Sequence, residues 1–273
     1  MPKSLEELQV IAKRVRREIV EMIGAAGSGH PGGSLSAVEI LVELYFNTMR
    51  IDPKNPKWPQ RDRFILSKGH AAPVLYAVMA EVGYPDTPLD KLNTLRKLGS
   101  MYQGHPDMRF IHSLEASTGS LGEGLSIALG MGFAARLDNN PSRTYCMLGD
   151  GEAQEGQVWE AAMAGSFHKL DNVCCIMDYN GIQLDGFVKD IMDVAPLADK
   201  WRAFGWYAIE LNGHDPAAVR AAFEEAAATK GKPTCLVAHT IKGKGVSFME
   251  NNPKFHGTAP TPAEVKLALQ ELQ

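Results

Sequence analysis

The sequence lacks an apolar run of the ~20 residues that a bilayer-spanning helix needs. It also lacks a basic excess. Lys and Arg total 28 against 32 Asp and Glu, a formal charge of −4, and a nucleic-acid footprint needs a basic face. Cysteine is sparse: Cys146, Cys174, Cys175 and Cys235 all fall in apolar, strand-like runs. They read as buried free thiols, which suits a reducing cytoplasm and excludes a disulfide framework. No repeat and no low-complexity linker interrupts the chain, and its start is an amphipathic helix opening, not a signal peptide. What remains is globular: 45% of the 273 residues are hydrophobic and 22% charged, enough to bury a sizeable core.

The hydrophobic pattern predicts a helix over 4–26, opened by a Ser4/Glu7 capping box, with Leu8, Ile11, Val15, Ile19 and Ile23 on one face. A small-residue turn, 24–33, follows. A second helix is expected from about Ser36, with Glu39 completing another capping box. Residues 51–63 form a Pro-rich connection, 64–66 a short strand, 71–82 a helix and 83–116 an irregular stretch. An Ala/Gly-rich helix is expected at 123–137. Strands are expected at 143–149, 173–179, 206–211 and 234–240, each a short apolar run bounded by turn residues. Helices at 155–170 and 216–229 fill the gaps, and Thr261/Glu264 caps a last one. Alternating strand and helix implies an α/β fold, a doubly wound, mostly parallel sheet with helices on both faces. Residues 1–273 read as one domain, with a helical N-terminal segment over 1–60.

In such a sheet, ligands sit outside the carboxyl ends of the strands. Gly149-Asp150-Gly151 ends one predicted strand. By itself it is an ordinary strand-to-helix turn. Asn180 ends the next strand, 30 positions on, the length of one helix plus one strand. Asp150 and Asn180 therefore reach the same sheet edge. A carboxylate and an amide oxygen, a backbone carbonyl and two phosphate oxygens make a near-octahedral Mg²⁺ site, with charge left over for a diphosphate. His30, His70, His105 and His256 each sit in a tight Gly/Pro turn; His112, His168, His214 and His239 do not and are read as structural. Imidazoles near neutral pKa suit proton movement among alcohols and carbonyls. Lys242-Gly243-Lys244-Gly245 follows the last strand and reads either as a solvated basic loop or as a phosphate contact.

Taken together, Ser28–Gly32 (SGHPG), Ile65–Ala72 (ILSKGHAA), Gly104–Pro106 (GHP), Thr118–Gly124 (TGSLGEG), Gly149–Gly156 (GDGEAQEG), Asn180–Gly186 (NGIQLDG), Lys242–Gly245 (KGKG) and His256-Gly257 cover nearly the whole chain. In this order they resemble the N-terminal half of a transketolase, a thiamine-diphosphate enzyme. The resemblance implies that Asp150, Asn180 and the Ile182 carbonyl ligate Mg²⁺, or Ca²⁺ or Mn²⁺ in its place. It implies that Gly151, His70 and His256 serve the diphosphate, that Gly119, Ser120 and Leu121 line the cofactor, and that Lys242 lies near it. His30, His105 and His256 would face the sugar. Glu155 has two readings: a carboxylate favoured at a helix start, or part of a carboxylate network joining two active sites across a subunit interface.

A whole transketolase continues into a pyrimidine-binding domain, which supplies the glutamate that protonates the cofactor's aminopyrimidine ring, and phosphate-binding arginines. No residue of this sequence matches those. The expectation is a split enzyme: an N-terminal subunit working with a C-terminal partner subunit, as an α2β2 heterotetramer in the cytoplasm. Its implied reaction moves a two-carbon glycolaldehyde unit from a ketose phosphate to an aldose. The alternatives are a related enzyme acting on another sugar or making deoxyxylulose phosphate, and a non-catalytic scaffold subunit that holds cofactor.

Overall fold

A computed structural model describes residues 2–273. Helix α1 (Leu5–Ala26) starts on the capping box expected for it: the Ser4 hydroxyl accepts from the Glu7 amide and Glu7 reaches back to the Ser4 amide. Its apolar face, from Leu8 to Ile23, is sealed in the core, where each such side chain contributes roughly 1.5–3 kcal/mol. Two short helices follow, α2 (Pro31–Leu35) and α3 (Val38–Glu43), the latter running on into a π-helical turn. The capping box expected at Ser36 and Glu39 does not form. Ser36 is already helical, closing α2, and its hydroxyl donates to Asp178 Oδ2 at 2.6 Å. Glu39 is drawn instead to Arg16 and His214.

The central sheet begins with β1 (Arg63–Leu66), whose chain turns into α4 (Ala72–Val82). After the irregular stretch come α5 (Gly124–Leu137), β2 (Thr144–Gly149), α6 (Gly156–Phe167) and β3 (Val173–Tyr179). A two-residue hairpin, β4 (Ile182–Gln183) with β5 (Gly186–Phe187), and two short helices, α7 (Val188–Ile191) and α8 (Leu197–Ala203), were not expected from the sequence. They are too short to show a period. The chain closes with β6 (Tyr207–Asn212), α9 (Pro216–Ala228), β7 (Thr234–His239) and α10 (Pro262–Glu271).

The sheet order is β1-β2-β3-β7-β6, with every pairing parallel. Alternation along the strands divides the interior into two cores. Tyr145, Met147, Cys174, Ile176 and Leu236 point to the face covered by α1, α3, α4 and α9. Cys146, Leu148, Cys175, Met177 and Val237 point to the face covered by α5, α6 and α8. Helices therefore lie on both faces, as expected of a doubly wound sheet. The small residues of α5 allow close approach: a Cβ on Gly132 would stand 2.5 Å from the Val173 side chain. All four cysteines are buried and free, and burial raises their thiols. Among the described residues no helix is long and apolar enough to cross a membrane.

Parallel strands put all their carboxyl ends on one edge. The loops after β1, β2, β3 and β7 carry Lys68 and His70, Asp150, Asn180, and Lys242 respectively, so the topology gathers them there.

Candidate active site

These loops enclose a cavity of about 330 Å³. Asp150 forms its floor and is buried. Its Oδ1 accepts from the Gly151 amide at 2.8 Å and its Oδ2 from the Gly181 amide at 2.5 Å. Burial, followed by the charge of Asp178, pushes the Asp150 carboxyl up to about 6. It is a buried anion with amide partners and no hydrogen-bonded cation. Gly151 has to be glycine, because a Cβ there would stand 2.9 Å from Gln183 Cβ, where the β4–β5 hairpin closes over the turn.

Asn180 stands beside it because β2 and β3 pair with Gly149 opposite Asp178. Its amide nitrogen donates to Asp178 Oδ2 at 2.9 Å, which turns the amide oxygen away from Asp178 toward the Ile182 N–H, at 3.2 Å. Asp178 itself is fully buried and heavily partnered. Lys68 donates at 2.5 Å and Ser36 at 2.6 Å, and the Thr240 hydroxyl completes the set. Burial works to raise this carboxyl, but Lys68 and the hydroxyls outweigh it and hold it low. Lys68 also donates to the Gly33 carbonyl at 2.7 Å, which ties the 30–35 segment to the sheet.

The second carboxylate staple is Glu152, in the turn after Asp150. It accepts from the Ser67 hydroxyl, from the Gly122 amide at 2.9 Å and from the Gly149 amide at 3.0 Å. One side chain thus fixes three loops of the wall. Neither Lys68, Asp178 nor Glu152 was singled out by sequence reasoning. Lys68 and Glu152 lay inside motifs that were, and Asp178 lay in the expected strand 173–179.

Three histidines form the roof. The ring centroids of His30 and His70 are 5.2 Å apart, those of His70 and His256 5.3 Å, and those of His30 and His256 5.7 Å. His105 joins them from the side, against Gly119. That glycine has φ 145°, and a Cβ there would stand 2.9 Å from the His105 ring. The expectation of imidazoles poised near neutrality is corrected by this setting. Burial lowers His30 to about 4, helped by Arg96 and His105, and lowers His256 to about 3, helped by Lys242. Burial and Lys68 hold His70 well below its ordinary value, and partial burial and Arg96 lower His105. All four shifts favour the neutral ring.

Lys242 reaches in from the loop after β7. Its ammonium donates to the Ile182 carbonyl at 2.6 Å and lies 2.9 Å from His256 Nδ1. Burial, followed by the charge of Lys68, lowers it to about 8. Gly119, Leu121 and Glu155 also line the cavity. Glu155 is the N-cap residue of α6 without a side-chain capping bond, and it is exposed. Ser120 is not brought into the cavity. Its hydroxyl donates to Glu123 at 3.0 Å in an adjacent recess. His214, read as structural, is lodged between Glu39 at 2.9 Å and the Ile241 amide at 2.8 Å, behind the Lys242 loop.

The oxygens of Asp150, Asn180 and Ile182 are hard donors of the kind that hold Mg²⁺ or Ca²⁺ alongside phosphate oxygens. Among the described residues no group of three His, Cys, Asp or Glu could hold a metal unaided, so this donor set leaves room for a ligand that brings oxygens of its own.

Residues 8–272 match the profile of the transketolase thiamine diphosphate binding domain. The chain belongs to the transketolase family. Its relatives include the 6-deoxy-6-sulfo-D-fructose transketolase subunit SqwG of Clostridium sp. (strain MSTE9), 45% identical over 98% of this chain and 96% of that one. An apulose-4-phosphate transketolase subunit of Phocaeicola vulgatus is 40% identical over 98% of this chain and 94% of its own length. The crystal structure of transketolase from Campylobacter jejuni superposes with a TM-score of 0.93 at 33% identity, covering 99% of this chain and 43% of that one. This transketolase domain therefore carries the thiamine diphosphate binding fold of its family, and the cavity lies at the carboxyl ends of the strands, where sheets of this kind present ligands.

Proposed function

We propose that this chain is the diphosphate-binding subunit of a two-chain transketolase. With a partner subunit that carries the pyrimidine-binding domain, it moves a two-carbon glycolaldehyde unit from a ketose phosphate to an aldose. The observation that carries this reading is the convergence on one cavity of the Asp150, Asn180 and Ile182 oxygens below and three neutral histidines above. A scaffold subunit has no use for a buried Asp150 carboxylate whose oxygens accept only from main-chain amides. The names of the two relatives as transketolase subunits support the partner, and an α2β2 assembly is the form that the resemblance implies. Four free buried thiols support a cytoplasmic location.

In this reading the oxygens of Asp150, Asn180 and Ile182 would hold Mg²⁺, whose charge would suit a diphosphate. Thiamine diphosphate, when bound, supplies the carbon nucleophile that takes up the two-carbon unit. Gly151 lets the main chain approach the diphosphate, with His70 and Lys242 as further contacts, and Gly119 and Leu121 form the wall beside the ring. Lys242 donates to His256 Nδ1, so the neutral ring keeps its proton on Nε2 and offers it to a substrate oxygen. His30 and His105 orient sugar hydroxyls. Glu155, exposed at the start of α6, meets the partner. Ser120 reaches the cofactor only through its main chain.

The choice of sugar is a second question. The relatives at 45% and 40% identity are named for a sulfonated sugar and for apulose-4-phosphate, which favours a donor outside the common ketose phosphates. The groups that grip the far end of the sugar belong to the partner. The test is co-expression with the protein encoded beside it, with thiamine diphosphate, Mg²⁺ and a panel of phosphorylated and sulfonated ketoses. Turnover that needs both chains, and is lost with Asp150→Ala and with His105→Ala, is the expected result. Wild-type turnover in both variants would overturn the catalytic reading.

A further inference from the structure

The Lys242 ammonium occupies a place that the metal reading gives to another cation. It donates at 2.6 Å to the carbonyl of Ile182, one of the three oxygens assigned above to the metal. The local charges explain its presence. Asp178 is neutralised by Lys68 at 2.5 Å, whereas the two oxygens of Asp150 accept only from amides. Lys242 is the remaining positive charge in the cavity, and it is buried.

The main chain of Lys242 is fixed on both sides. Its carbonyl accepts from the Asn251 amide at 2.9 Å, and the next residue, Gly243, donates to the Gly32 carbonyl at 3.0 Å. The stem is held too, since a Cβ on Gly32 would meet Lys242 Cγ at 2.9 Å. Only the far end of the side chain is free to move, and His256 Nδ1, at 2.9 Å, already offers it a second anchor.

We propose that Lys242 is a tethered counter-ion of Asp150, and that a metal ion held by the Ile182 carbonyl would compete with it for that place. This rests on the metal reading above. A divalent ion and an ammonium cannot share the Ile182 carbonyl beside Asp150 without strong repulsion. An ion bound there would leave Nζ with His256 Nδ1, 2.9 Å away, and the diphosphate as its partners. The ammonium thereby shields Asp150 before loading and becomes a ligand contact after it. The exchange also disfavours metal without diphosphate, because a metal alone evicts the ammonium and gives it no new anion.

The test uses Mn²⁺ alone, without thiamine diphosphate, titrated into the 273-residue chain and followed by the electron paramagnetic resonance of free Mn²⁺. Lys242→Met is expected to bind Mn²⁺ roughly tenfold tighter than wild type or more. Lys242→Arg, which keeps the charge, is expected to stay weak. The melting temperature of cation-free Lys242→Met should fall and recover with Mn²⁺. Equal Mn²⁺ affinity in wild type and Lys242→Met, abolished in both by Asp150→Asn, would overturn the exchange while leaving the metal site standing. Mn²⁺ binding to Lys242→Met that is indifferent to Asp150→Asn would overturn the metal reading and the exchange with it.

Discussion

Lys68 and Asp178 form an ion pair of 2.5 Å in which the side chains are only 1% and 0% exposed. The pair lies directly beneath Asn180, whose amide nitrogen shares the Asp178 carboxylate with Lys68, Ser36 and Thr240. Two buried charges repay their desolvation only when every lone pair and proton finds a partner. Here the carboxylate accepts four bonds. Its task is orientation: it fixes which way the Asn180 oxygen points, and it anchors the His30 segment through Lys68 and Gly33.

Removing one partner should therefore cost more than the pair contributes. Lys68→Met leaves Asp178 buried without its cation and should destabilise the fold by about 3–5 kcal/mol. Thermal unfolding measures it. The double variant Lys68→Met/Asp178→Leu, which removes both charges, should recover part of that loss while cofactor affinity stays low. Additive losses would mean that the two residues are not coupled.

Glu152 makes a separable prediction. Glu152→Gln keeps one acceptor but turns an N–H₂ toward the amide of Gly149 or Gly122, leaving a buried donor facing a donor. The expected cost is about 1–3 kcal/mol of stability. Because the staple joins the 67, 122 and 149 loops, thiamine diphosphate affinity, measured by calorimetry, should fall further than stability alone requires.

Much of this arrangement was legible in the sequence, and the remainder was not, for a physical reason. Asp150, Asn180, His30, His70 and His256 stand at the ends of strands or helical turns, where a local pattern of glycine and polar residue marks them, and His105 stands in a Gly-His-Pro turn of the irregular stretch. The supports come from afar. Ser36 reaches Asp178 across 142 positions and Lys68 across 110, and nothing local announces either contact. The same distance misled the reading of Ser36 and Glu39, whose spacing fits a capping box but whose side chains are claimed by tertiary partners. The histidine pKa values were missed because their main cause, burial, arises only when the loops close together, and because Arg96 and Lys242 approach the rings from other segments.

Metal removal gives the third prediction. Thiamine diphosphate with Mg²⁺ should raise the melting temperature of the wild-type chain. A ligand at a hundred times its Kd adds about 2.7 kcal/mol. Excess EDTA should abolish that rise, and Ca²⁺ or Mn²⁺ should restore it. Asp150→Ala should show no rise with any of the three ions. A rise that survives EDTA would mean that the diphosphate binds through the histidines and lysines alone.

The last prediction concerns pH and lies away from the cavity. Glu18, on α1, has a carboxyl oxygen buried without a hydrogen-bond partner, beside Glu81, which Arg14 grips at 2.5 Å. Burial, and then the Glu81 carboxylate, push Glu18 up to about 9, against the opposing charge of Arg14 and with Glu21 adding to the rise. Arg14 holds Glu81 low despite its burial. At pH 7 the folded chain therefore keeps a proton on Glu18 that the unfolded chain releases. Stability from this group is complete below the unfolded value of about 4.5 and is lost as pH rises toward 9. Glu81 has the opposite sign, and its contribution is lost only as pH falls below the ordinary carboxylate range. The lowered histidines and Lys242 change stability between about pH 6 and 9 in the sense opposite to Glu18, so the difference between wild type and Glu18→Gln is what isolates Glu18. Relative to Glu18→Gln, the melting temperature of the wild type should fall across that window, with a ceiling of ~1.4 kcal/mol per pH unit that the partial exposure of Glu18 reduces. Glu18→Gln, neutral at every pH, should lack this contribution and gain on the wild type toward the alkaline end. An unchanged slope in Glu18→Gln would assign the titration to another group.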